Sequence, residues 1–167
     1  MKKMTKSNRG FSMVELIIVI AIMAILVGIV GANIIPYLEK SKKSKDEQIL
    51  NMWCTNARSA YSMNAMLLDP SETYFITVTD SDIQVTGGNQ QAQEAIEEMF
   101  VELDPSNLSN GYPFSNFESK AGRNIDEVVI ACCDPAEQPE GGYEHCITLS
   151  VVMDSGSRYS FDTMVSN

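Results

Sequence analysis

From Leu16 to Ala32 the chain runs seventeen residues without a polar side chain, and the wider window Phe11–Ile35 admits a single charge, Glu15. As a helix that window would be about 37 Å long, enough to cross a bilayer with some tilt. From Asp46 onward the apolar positions change to three- and four-residue spacing. Leu50, Trp53, Cys54, Ala57, Tyr61 and Leu68 follow it, with Asn64 as one polar intruder. That is the stripe of an amphipathic helix, and Asp69-Pro70 should end it. The pattern predicts one long helix from Phe11 to Leu68, interrupted at Gly28, Gly31 and Pro36. Its weak stretch is Gly28 to Pro36, where Gly28, Gly31 and Pro36 together cost about 5 kcal/mol of helix propensity relative to alanine.

Downstream the period shortens. Tyr74–Thr79 and Ile83–Val85 read as short strands around "DSD". Gln91–Leu103 reads as a helix with Ala95, Ile96, Met99, Phe100 and Leu103 on one side. Ser106–Asn124, rich in Ser, Asn and Gly, reads as loop. Glu127–Cys133, Cys146–Asp154 and Arg158–Val165 read as strands, the last two a hairpin through "DSGS". Helix first and sheet after is an α+β layout, with an antiparallel sheet packed on the outer half of the long helix.

Charge sharpens this division. Residues 1–45 hold eight of the twelve Lys and Arg and two acids, a balance of +6; the remainder carries −16. A body this acidic repels phosphates, so direct nucleic-acid binding is not expected. Lys2, Lys3, Lys6 and Arg9 before the apolar run favour a cytoplasmic N-terminus, although Lys40, Lys42, Lys43 and Lys45 follow it. The cysteines tip the balance toward an exported body. A secretory signal wants an apolar core of about 7–15 residues and a small-residue cleavage site, and "GIVGANIIP" is a poor one. A plain membrane anchor is the other reading, with Glu15 snorkelling to the headgroups.

"GFSMVELIIVIAIMAIL" resembles the N-terminus of type IV pilins and of the related type II secretion pseudopilins. The likeness lies in a short basic leader, Gly10, a hydrophobic Phe11, a glutamate five residues after the glycine, and the long apolar run. It covers roughly the first fifty residues. The resemblance implies a leader at 1–10, a stem with its basic juxtamembrane segment at 11–45, and a head at 46–167. A prepilin peptidase would cut between Gly10 and Phe11 and methylate the Phe11 nitrogen. Glu15 would then receive the Phe11 ammonium of a neighbouring copy, because an isolated ion in lipid costs several kcal/mol and a paired one recovers much of it. The pair would fix axial register. Filaments of the family often show the stretch at Gly28, Gly31 and Pro36 partly melted. The family's proline usually lies about a turn earlier, where this chain has Ala32.

The remaining chemistry is sparse. His145 is the one histidine, and no triad, phosphate loop or serine elbow accompanies it, so no enzyme and no cofactor is expected. The acids Asp80/Asp82 and Glu137/Glu140/Glu144 lack EF-hand spacing and read as solvated faces rather than a metal site. Cys54, Cys132, Cys133 and Cys146 lack the paired spacing of a zinc site. Strand alternation turns Cys132 inward, toward Cys54, and Cys133 and Cys146 outward, giving Cys54–Cys132 and Cys133–Cys146 as the expected disulfides. Four reduced thiols are the alternative. The expected function is that of a structural subunit of a type IV pilus-like filament. Its partners would be copies of itself, the prepilin peptidase, the assembly machinery of the cytoplasmic membrane and, before assembly, lipid. A major pseudopilin and a membrane-anchored sensor that never assembles are the rivals.

Overall fold

The computed structural model describes residues 11–69, 71–104, 108, 110–133 and 147–166. The chain divides into two compact units, one ending at Leu38 and the other beginning at Glu39.

Helix α1 spans Met13–Met63 and passes through both. It is helical through Gly28, Gly31 and Pro36. Keeping Pro36 helical forfeits the one bond its nitrogen cannot donate, whereas opening the helix there would strand several donors and acceptors. The interruption expected at Gly28, Gly31 and Pro36 is not seen: the stretch is continuous helix. The C-terminal end differs from the expected Leu68. Asn64 turns its amide onto Ala60 O (2.9 Å) and Ala95 O (3.1 Å). A side chain competing in this way for helical carbonyls favours the turns that follow Met63.

The outer half of α1 buries Asp46, Leu50, Trp53, Cys54, Ala57, Ala60 and Tyr61. Against it lies a five-stranded antiparallel sheet of β1 (Tyr74–Val78), β2 (Ile83–Thr86), β3 (Ile125–Cys132), β4 (Ile147–Met153) and β5 (Met164–Ser166), in the order β2-β1-β3-β4-β5. Register sets the inward rows. Ile76 faces Ile130, which faces Leu149, and all three are fully buried. Cys132 lies two residues on from Ile130 and shares that inward face, as alternation requires.

Helix α2 (Gln90–Leu103) connects β2 toward β3. Asn89 caps it, accepting from Ala92 N at 2.9 Å. Its buried line is Ala92, Ile96 and Phe100; Ala95 and Leu103 are half-buried at the margin. The segment expected as loop contains two short 3₁₀ turns, Phe114–Asn116 and Gly122–Asn124. It buries Tyr112, Phe114 and Phe117. Tyr112 meets Trp53 edge-on at 5.0 Å, and Phe114 stacks on Phe117 at 6.0 Å. The "DSGS" turn forms, with Ser157 N donating to Asp154 O at 2.9 Å and Gly156 at φ +97°. The strand after it is shorter than expected. Only Met164–Ser166 pairs with β4, since Arg158–Thr163 offers one inward apolar residue, Phe161, among polar ones.

Candidate functional site

Ser12 sits immediately before α1 and Glu15 in its first turn, and both side chains accept from backbone N–H groups at the helix start. Ser12 Oγ accepts from Val14 N at 3.3 Å, and Glu15 Oε2 accepts from Ser12 N at 2.9 Å. The pattern S-x-x-E is a capping box, which gives acceptors to donors that a helix start otherwise leaves unmade. A carboxylate in the first turn also faces the positive end of the helix dipole. Glu15 is therefore not a bare charge at the mouth of the apolar run. The signal was present in the sequence as Ser12 three residues before Glu15, ahead of apolar residues. Gly10 lies outside the described residues; Phe11, just before the cap, is non-helical and exposed.

Beyond the cap, α1 is one helix long and apolar enough to cross a membrane, and none of its most apolar window is buried. From Phe11 to Leu38 every side chain is exposed, Gly31 alone being intermediate. An ordinary soluble helix hides one face. This one presents apolar surface all round, including at Gly28, where nothing stands within 4 Å of an added Cβ.

At Glu39 the pattern of contacts begins. Glu39 Oε1 accepts from Lys120 N, and Lys45 Nζ lies 3.2 Å from Glu118. Asp46, fully buried, accepts from Glu118 N at 3.0 Å, from Ser119 N at 2.9 Å and from the Ser119 hydroxyl. Three donors satisfy this carboxylate, which makes its burial tolerable. Gly122 completes the clasp. A Cβ there would come within 2.4 Å of Phe117 Cβ and 2.6 Å of Asp46 Oδ2. Asp46 was legible too, one turn before Leu50 on the same stripe.

The other candidates are placed as follows. Cys54 on α1 and Cys132 on β3 are both buried in one core, and Cys133 is buried at the strand's end. Cys146, His145, Glu137, Glu140 and Glu144 lie outside the described residues. Asp80 and Asp82 are spent locally: Asp80 Oδ1 accepts from Phe114 N at 2.7 Å, and Asp82 from Ile83 N and Gln84 Nε2. Among the described residues no three His, Cys, Asp or Glu converge as metal ligands. An open groove of about 560 Å³ lies along α2, lined by Ile83, Glu94, Glu97, Glu98, Val101 and Glu102. Burial there raises the Glu97 carboxyl above its usual range, and the charges of Asp82 and Glu94 add to the effect.

Residues 5–31 match the family described as the prokaryotic N-terminal methylation motif. No curated protein and no solved structure matches the chain. The motif is the prepilin-type cleavage and methylation signal. With the apolar helix and the sheet-backed body, this is the layout of a pilin-like or pseudopilin precursor, and the motif implies processing by prepilin peptidase and assembly into a pilus-type system.

Proposed function

We propose that the chain is a shaft subunit of a type IV pilus-like filament. It waits in the cytoplasmic membrane with its N-terminus inside, is cut after Gly10, and enters a bundle of stems whose heads form the outer surface. The observation that carries this reading is an apolar stem with one carboxylate, Glu15, held within one turn of the nitrogen that cleavage would expose. A capping carboxylate has a second oxygen, and that oxygen can take the ammonium of a neighbouring Phe11. The family's tip-initiating subunits often lack such a carboxylate, which favours a shaft position.

The test separates capping from pairing. Glu15→Gln keeps an acceptor for Ser12 N, because glutamine serves at that position of a capping box, but it removes the countercharge. Leaving a buried ammonium unpaired costs about 3–5 kcal/mol at each addition. Both Glu15→Gln and Glu15→Ala subunits should be inserted and trimmed normally yet yield no filaments when they are the only copy. Full-length filaments from Glu15→Gln cells would reduce Glu15 to a helix cap. Absence of filaments from wild-type cells would favour the non-assembling anchor.

A further inference from the structure

Between Met13 and Leu38, α1 carries nitrogen or oxygen in three side chains, Glu15, Asn33 and Tyr37. Cleavage after Gly10 would add a fourth group, the Phe11 ammonium. These four form two pairs of equal spacing. Glu15 follows Phe11 by four residues, and Tyr37 follows Asn33 by four. The pairs are twenty-two residues apart, about six helical turns, so at about 100° per residue all four groups fall on one side of the helix.

Asn33 and Tyr37 are both exposed in the single chain, Tyr37 by 73%. Asn33 Nδ2 donates to Ile29 O of its own helix at 2.8 Å. Among the described residues neither Asn33 Oδ1 nor the Tyr37 hydroxyl takes part in a hydrogen bond. In the same turn Pro36 leaves the Ala32 carbonyl without its helical donor. A polar station of this kind is unfavourable in hydrocarbon unless something meets it.

We propose that stems pack with an offset of four residues, so that Asn33 of one copy meets Tyr37 of the next when the Phe11 ammonium meets Glu15. The inference rests on the filament reading and adds to it a second contact between copies. The offset is about 6 Å along the helix axis. The phenol donates to Asn33 Oδ1, which the intrahelical bond leaves open. One polar contact would let apolar stems pivot about it, since any apolar residue packs almost as well against its neighbour's surface as another. Two contacts separated by most of the stem fix the offset along its whole length. A buried polar residue that sets register in helix pairs acts by the same physics.

The test uses filaments built from a mixture of Asn33→Cys and Tyr37→Cys subunits. Mild oxidation should yield a dimer containing one of each, while a mixture of Tyr37→Cys with Ile29→Cys, which would need an eight-residue offset, should not. In parallel, Asn33→Leu and Tyr37→Phe should each lower the temperature at which purified filaments come apart, and the double variant should fall no further than the worse single one. Equal dimer yield from both mixtures, or additive losses, would overturn the offset while leaving the filament reading intact. A wild-type chain that builds no filament would overturn both.

Discussion

Asp46 shows how one buried charge can organise a head. Its two oxygens accept three donors from Glu118 and Ser119, and the nearby ion pair is Lys45–Glu118 on the outside. Hydrogen bonds to a charged group contribute more than neutral ones, and removing the acceptor strands its donors. Asp46→Ala should therefore cost about 3 kcal/mol or more, read as a fall in thermal unfolding temperature of the isolated head. Gly122→Ala should cost about 1–3 kcal/mol through overpacking against Phe117 and Asp46. Melting unchanged in both would mean that the clasp contributes nothing. Glu97 makes the opposite case. Its folded-state pKa is raised by burial and then by Asp82 and Glu94, so the folded chain holds its proton more tightly than the unfolded chain. That linkage opposes folding above the raised pKa and fades as pH falls through it. Glu97→Gln should melt higher than wild type at pH 7, with the gap closing on acidification; a gap that widens at low pH would contradict the assignment.

At the scale of elements, what could be read in advance was what periodicity records. The stripe from Leu50 to Tyr61, the strands at Tyr74 and Ile83, and the inward side of β3 follow from spacing alone, because burial on one face imposes it. What periodicity does not record came out differently. The end of α1 depends on where the Asn64 amide points. The burial of Tyr112, Phe114 and Phe117 depends on a polar-looking segment being drawn down by Asp46, a contact between residues more than seventy apart. The length of β5 depends on pairing partners rather than on its own sequence. At the site, Glu15 is legible from its isolation in the apolar run, while its bond to Ser12 three residues earlier is a matter of cap geometry that apolar spacing does not record. Cys132 faces the core that also holds Cys54, where the expected α1–β3 disulfide would lie. Non-reducing peptide mapping of protein taken from the cell surface should recover Cys54–Cys132, with Cys133 joined to Cys146, each bond worth about 2–4 kcal/mol to a small head. A recovered Cys54–Cys146 peptide, or four alkylatable thiols, would contradict it.

The whole molecule joins two surfaces that want different surroundings. The unit ending at Leu38 exposes apolar side chains throughout, and the unit from Glu39 closes over an apolar core beneath an acidic exterior. Cleavage after Gly10 would remove Lys2, Lys3, Lys6 and Arg9, take the formal charge from −10 to −14, and strip the bases that would hold the N-terminus at the cytoplasmic face. The same cut would create a cation at Phe11, at the head of a stretch to Leu38 that holds no Lys or Arg. Cleavage would thus change both what retains the subunit and what it can pair with. The most direct measurement of this account is the intact mass and N-terminal sequence of the chain in filaments sheared from cells. The account predicts a subunit beginning at Phe11 with a methylated amine. A surface chain that still begins at Met1, or that has been cut within Gly28–Pro36, would contradict it.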